Sequence, residues 1–390
     1  MKVLMVSPEY PPMKGGVGRY ASNLVNALRP FGAEVKVVSS REGGGDFDGI
    51  SPSNERNSDV LLQIAASYGP DVVHLQFEPG LYGLVLDPAD PSKSRTFVDD
   101  FYKKCKTPIA TTFHSAYTFR EWMGQATIVK REGRTGRFGM PARSIIRAWK
   151  CFLNYKAFHD INRDKLRLGA AGISFSNYMA SLVGGGHVIY HGAEPALEVL
   201  PSKQDARKEF GLPRDKMIAL ALGFSTATKG WDLLGKVSMP EGWVLATNSS
   251  RSHYNKEAKA GSNTGIDLQL GFLAEEKLSM LLLACDAVLL PYKITSGSGV
   301  MFDALAHGLP FVASDLQFFR EFADMGLGIV AKRNPESFAR AIGELGRKYE
   351  KYSADVDLFK PKLKWSYVAR EHIRLYNLVT KRQHKESHAA

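Results

Sequence analysis

The segment Leu289-Leu290-Pro291-Tyr292-Lys293-Ile294-Thr295-Ser296-Gly297-Ser298-Gly299-Val300-Met301-Phe302-Asp303 gathers residue types that grip anions and hydroxyl groups. With Ala304 to Pro310 and the apolar Phe311-Val312-Ala313 behind it, it reads as strand, glycine nest, helix and strand. Ser298 is placed to cap the helix, and the N–H groups of Gly299, Val300 and Met301 are expected to face outward as a seat for a diphosphate. Asp303, one turn further in, can accept hydrogen bonds from ribose hydroxyls.

Four more segments carry related chemistry. Gly223-Phe224-Ser225-Thr226-Ala227-Thr228-Lys229-Gly230 follows an apolar run, and a lysine held between a Ser/Thr loop and a glycine can neutralise a departing diphosphate, where a lone surface lysine is only a solvated charge. Ser7 to Tyr20 leads from a strand end through Pro11-Pro12 and the glycines Gly15, Gly16 and Gly18 into a helix over Ala21 to Leu28. Such a turn brings backbone and free amides to a ligand, or serves simply as a tight connection. His74 and Glu78, past the end of an apolar run, either line a ligand-binding edge or are a hydrogen-bonded core histidine and a solvated loop residue. His114, after Thr111-Thr112-Phe113, either hydrogen-bonds a sugar or packs.

These segments need a scaffold that delivers strand ends to one edge. Short β-branched runs alternate with longer amphipathic stretches, the rhythm of βαβ units and parallel sheets. Val3 to Ser7, Val35 to Ser39, Val72 to Leu75 and Ile109 to Phe113 are predicted strands of a first half. Met217 to Leu222, Trp243 to Thr247, Asp267 to Gly271, Ala287 to Leu290 and Phe311 to Ala313 belong to a second. The cluster Gly184-Gly185-Gly186, a short strand His187 to Tyr190, Gly192 and Pro195 mark the joint. The expected division is 1–193, 194–362 and a C-terminal segment 363–390 with a helix from Trp365 to Arg382 and a polar tail.

A chain of 390 residues with 44% hydrophobic content can fill two cores. No apolar run approaches the ~20 residues that cross a bilayer, and Met1 to Val6 enters a strand pattern rather than a signal peptide, so a cytoplasmic protein is expected. Cys105, Cys151 and Cys285 are far apart and show no metal-ligand spacing, so neither a disulfide framework nor a metal site is indicated. Of the net charge of +11, the segment Glu121 to Ala170 contributes eleven basic against four acidic residues, or +7. Without zinc-finger spacing or an RNA-binding aromatic motif, nucleic acid is not an expected partner. The helix expected after Pro141 sets Arg143, Arg147 and Lys150 on one face and Ile145, Trp149, Phe152 and Leu153 on another. It either buries its apolar face, the favoured reading, or makes a peripheral contact with anionic lipid or a lipid-linked acceptor.

Together the segments resemble the retaining glycosyltransferases of family four over nearly the whole chain. The opening Pro-Pro and Gly-Gly-x-Gly, Asp71-Val72-Val73-His74, Thr112-Phe113-His114, Lys229-Gly230 and Ala304 to Pro310 fall in the family's order. The resemblance implies the α/β GT-B fold, two facing Rossmann-like, doubly wound domains with parallel sheets and a donor cleft between them. It also implies a C-terminal helix that crosses back to the first domain. It implies that Gly16 approaches donor diphosphate or acceptor, that His114 contacts the donor sugar, and that Lys229 and the helix from Gly299 hold the phosphates.

The implied reaction moves a sugar from a UDP- or GDP-linked donor to a glycan, lipid-linked or small-molecule acceptor with retention, using no cofactor and no metal. Two positions depart from the pattern. Thr295 and Asp303 stand where the family has paired glutamates, and Phe224 replaces an arginine, for which Lys293 is the candidate substitute. Two rival readings stay open, a weakly catalytic glycosyltransferase-like binding subunit and an NAD(P)-dependent oxidoreductase. The second is disfavoured because the second strand ends in Ser39-Ser40 rather than an acidic residue.

Overall fold

The computed structural model describes residues 1–125, 141–251 and 265–389. The chain divides into two compact units, Met1–Tyr190 with Trp365–Ala390, and His191–Lys364. The divisions expected from the sequence lie at 193 and 362. Ala193 instead donates its N–H to the Leu363 carbonyl at 2.8 Å, which ties both edges of the second unit together.

The first unit is built on six parallel strands, β1 (Lys2–Val6), β2 (Glu34–Val38), β3 (Val72–Phe77), β4 (Ile109–Phe113), β5 (Ala171–Ser174) and β6 (His187–Val188), in the order β2-β1-β3-β4-β5-β6. β3 and β4 are buried along their whole length, as expected of parallel strands covered on both faces. The helix Gly16–Leu28 buries Tyr20, Ala21, Leu24, Val25 and Leu28, one stripe at helical spacing. The last helix, Trp365–Ala389, buries Val368, Ala369, His372, Tyr376 and Val379. It packs within this unit, with the Trp365 ring 5.6 Å from Tyr20.

The second unit carries β7 (Met217–Phe224), β8 (Trp243–Ser250), β9 (Ile266–Asp267), β10 (Ala287–Leu290), β11 (Phe311–Ser314) and β12 (Gly328–Ala331), in the order β12-β11-β10-β7-β8-β9. The chain runs outward from β7 to β9, then returns to the other side of β7 as β10. The crevice at the carboxyl ends of β7 and β10 is therefore the topological switch point, and β1 and β3 play that part in the first unit.

Three strands depart most from expectation. β5 (Ala-Gly-Ile-Ser) and β12 (Gly-Ile-Val-Ala) were not foreseen because small residues replace the usual β formers. At β12 the reason is packing, since a Cβ on Gly328 would lie 2.4 Å from the Phe311 carbonyl oxygen on the neighbouring strand. β9 stops at Asp267 rather than Gly271, because Gln269 (φ 50°) and Gly271 (φ 68°) turn the chain and Asn248 binds both Leu270 and Gly271. Among the described residues no helix is long and apolar enough to cross a membrane.

Candidate active site

In the second unit, β7 ends at Gly223-Phe224 and the chain makes a short 3-10 turn, Ala227–Lys229, closed by Gly230 in the left-handed region (φ 72°). Any Cβ on Gly230 would sit 1.9 Å from the Pro291 carbonyl oxygen. A glycine there lets this loop lie directly on the residues that follow β10. Lys293 N–H donates to Thr228 O at 2.8 Å and completes the seam.

The seam puts the half-buried Lys229 beside the glycine nest. Its ammonium lies 3.8 Å from the centre of the Tyr292 ring. The Tyr292 hydroxyl is 3.2 Å from Ser298 Oγ, and Ser298 Oγ accepts the Met301 N–H at 3.2 Å to cap the helix Gly299–Ala306. Among the described residues no carboxylate pairs with Lys229, whose partner is an aromatic face. A cation so placed, next to the amide-bearing end of a helix, can stabilise a developing diphosphate charge.

One expectation for this site is corrected, and three of its residues have partners within it. The Met301 N–H does not face outward, because the Ser298 cap consumes it, so the seat narrows to the amides of Gly299 and Val300 at the helix start. Ser225, expected among the donor-binding residues, donates its hydroxyl to Ser250 O at 3.1 Å and clamps two strand ends together. Thr295 Oγ1 donates to Gly297 O at 2.5 Å and accepts Gly297 N–H at 3.2 Å, so it shapes the nest from within. Lys293, the candidate substitute for the missing arginine, pairs with Asp232 at 3.0 Å.

Arg333, which no motif signals, binds Asp232 at 2.8 Å and the carbonyls of Pro291 and Gly230 at 3.1 and 3.4 Å. Burial works to raise the Asp232 carboxyl, but the hydrogen bonds from Lys293 and Arg333 outweigh it and hold the group below the ordinary value. Phe224 stacks on Phe272 with ring centres 6.3 Å apart. Asp303 lies 3% exposed in the first turns of the helix. His191, also unforeseen because it sits in the joint, stacks on Phe302 with its ring 5.7 Å away and flanks Gly299.

In the first unit, the glycine-rich turn folds around a carboxylate of its own. Glu9, 5% exposed, accepts the Gly18 N–H at 2.9 Å and so caps the helix Gly16–Leu28. A Cβ on Gly15 would meet the Glu9 carboxylate at about 2 Å, whereas one on Gly16 would meet nothing within 4 Å. Gly15 therefore makes room for Glu9, and Gly16 is the position with open space above it. No motif signalled Glu9, because its role depends on a loop returning over the helix end.

His74 is the core histidine of the two readings and is withdrawn from the ligand edge. It is 0% exposed, with Nδ1 2.6 Å from the Tyr376 hydroxyl and Nε2 2.8 Å from Thr112 Oγ1. Burial pushes its pKa well below the usual histidine value, and the neighbouring His372 and His114 add to the effect. Glu78 is not a solvated loop residue but half-buried. Enclosure raises its carboxyl pKa and Glu9 adds to that, while the Ser115 hydroxyl and the Gly80 amide pull it back. His114, half-buried at the carboxyl end of β4, is held through Nε2 by Gln76 Oε1 at 2.9 Å, with Tyr20 and Phe175 edge-on at 5.6 and 5.3 Å. The period-2 spacing of His74 and Gln76 on β3 was the available signal for Gln76.

In the basic segment, residues 126–140 and the side chains of Arg143, Ile145 and Arg147 lie outside the described residues. On the helix Pro141–Leu168 the apolar face expected to be buried is so only in part, with Leu153 half-buried. Trp149 is 61% and Phe152 38% exposed, stacked with ring centres 5.8 Å apart, and burial begins at Ala157 and Phe158. Among the described residues no group of three or more His, Cys, Asp or Glu side chains is placed to hold a metal ion.

Comparison with known proteins places this geometry. Residues 243–348 match the family model "Glycosyl transferases group 1". The chain is 24% identical to an uncharacterized glycosyltransferase, MJ1607, of Methanocaldococcus jannaschii, over 97% of this chain and 98% of that one. Sucrose-phosphate synthase from Thermosynechococcus elongatus superposes with a TM-score of 0.65 at 15% identity, covering 97% of this chain and 99% of that structure. HepE of Anabaena, solved with UDP and glucose, gives 0.60 at 14% identity with both chains fully covered. The fold is GT-B.

Proposed function

We propose that this chain, a glycosyltransferase of GT-B fold whose residues 243–348 form a group 1 glycosyltransferase domain, belongs with the retaining enzymes of family four and uses a nucleoside-diphosphate sugar as donor. The observation that carries the proposal is Lys229, half-buried on the Tyr292 ring beside the Ser298-capped helix, a cation left available to a diphosphate. As the anomeric bond breaks, its electron pair goes to the leaving diphosphate. Lys229 and the amides of Gly299 and Val300 stabilise that charge while the acceptor hydroxyl attacks from the same face and gives its proton to the leaving group.

No metal or cofactor is part of this proposal, and chelation by EDTA is expected to leave transfer unchanged. The acceptor is a glycan, lipid-linked or small molecule. UDP and GDP sugars are the first donors to try, and the UDP bound by HepE supports starting with uridine. The protein is proposed to work in the cytoplasm, with peripheral membrane contact through the 121–170 segment supported by exposed Trp149 beside Lys150.

The test is a thermal-shift screen of UDP, GDP and their sugars beside NAD(P), followed by transfer and donor-hydrolysis assays. Stabilisation by a nucleoside diphosphate and loss of that stabilisation in Lys229→Ala is the expected result. A chain indifferent to every nucleotide sugar would sink the proposal. A second reading, a binding subunit with feeble turnover, is favoured by Thr295 tied into its own turn and Phe224 in place of a cation. It predicts donor binding without transfer.

A further inference from the structure

We propose that Gln76 is the positioning residue that locks His114 in its Nε2-protonated tautomer, so that Nδ1 serves as a fixed acceptor for a sugar hydroxyl. The sugar rests on the function proposed above, whereas the tautomer rests on geometry alone.

Gln76 is 0% exposed on β3, and His114 follows β4, whose Thr112 is paired with Gln76 across the sheet. The His114 N–H donates to Phe77 O at 3.0 Å, which fixes the histidine backbone to the strand that carries Gln76. The Gln76 amide then has two faces. Its Nε2 donates to Met5 Sδ at 3.2 Å and lies 3.4 Å from His74 Nε2. Of these two, the Met5 sulfur is an acceptor whichever tautomer His74 adopts.

Met5 Sδ has only lone pairs and accepts in either tautomer of His74, so reversing the amide would set its oxygen against the sulfur, and Oε1 faces His114 Nε2. An amide oxygen cannot donate, and the shared proton therefore belongs to His114 Nε2. In a neutral imidazole the other nitrogen is then an acceptor. Tyr20 and Phe175, both edge-on, hold the ring plane. The tautomer thus depends on the buried contact between the Gln76 amide and Met5 Sδ.

The experiment is a long-range ¹H–¹⁵N spectrum of the imidazoles in the full chain, with His114 assigned by its loss in His114→Gln. The expected wild-type result is protonation at Nε2. Gln76→Met should give mixed tautomers, and Gln76→Glu should keep Nε2–H and raise the ring's titration midpoint by about one pH unit or more. Protonation at Nδ1 in the wild type, or a Gln76→Met spectrum identical to it, overturns the proposal. None of these readings needs turnover, so a chain without transfer activity sinks the proposed function and leaves the tautomer readable.

Where transfer is measured, Gln76→Met should lower kcat/KM on the order of tenfold, about the worth of one lost hydrogen bond. Gln76→Glu should restore the rate above a shifted acid limb. Full activity in Gln76→Met would remove Gln76 from the reaction.

Discussion

The Lys229 ammonium rests 3.8 Å above the ring of Tyr292, and the hydroxyl of that ring reaches Ser298, the cap of the helix that starts at Gly299. One aromatic side chain thereby joins the loop after β7 to the nest after β10. Lys293 and Arg333 are spent on Asp232 nearby, which leaves Lys229 as the cation whose charge is not neutralised by a described carboxylate.

Lys229→Ala is expected to lower kcat by ~10²–10³, about 3 to 4 kcal/mol of transition-state stabilisation, with the melting temperature little changed. Tyr292→Phe keeps the ring but frees Ser298, and should lose far less. Steady-state rates beside thermal melts check both, and an unaltered kcat in Lys229→Ala would remove it from the mechanism.

Gly15→Ala should destabilise the protein by ~1–3 kcal/mol, because its methyl group would occupy the space of the Glu9 carboxylate. Gly16→Ala meets open space at the start of a helix, so its stability should hold or rise by up to about 1 kcal/mol. Should Gly16 face a ligand, affinity falls in this stable variant. Urea melts paired with binding isotherms separate the two effects.

His372, fully buried on the last helix, has its pKa pushed down to about 4 by burial, partly opposed by its hydrogen bond to Val368 O. The unfolded chain, with an ordinary histidine near 6.5, binds this proton first as the pH falls. Stability from the neutral ring is thus fully present above about pH 6.5 and is lost progressively between 6.5 and 4. His74, depressed in the same direction, steepens the fall. His372→Asn keeps a donor for Val368 and removes the titration, so the slope between pH 6.5 and 5 should drop by about 1.4 kcal/mol per pH unit. Chemical denaturation across that range is the measurement, and an unchanged slope would contradict it.

Trp149 and Phe152 should carry binding to vesicles rich in anionic lipid, weakly at high salt. Trp149→Ala should cut the bound fraction several-fold in flotation, without altering the melting temperature. Equal flotation of wild type and variant, or none of either, would retire the membrane contact.

Much of the scaffold could be read before any coordinates. Period and composition marked β1 to β4 and the strands around Gly223 and Gly299, because parallel strands and the helices between them are specified locally by apolar runs and caps. The nest Thr295–Gly299 and the Lys229 loop were equally visible, since glycine and small polar residues at strand ends have few other uses. What sequence determined by itself was therefore the fold class and which loops hold the chemistry. Which side chains in those loops are already committed was decided only by tertiary structure. Ser225, Thr295 and Lys293 are bonded to Ser250, Gly297 and Asp232, and Glu9 takes the helix end expected to meet a ligand. Hydrogen bonds and ion pairs of this kind join residues distant in the chain, so no local pattern encodes them. A buried polar atom takes whichever partner the fold brings within reach.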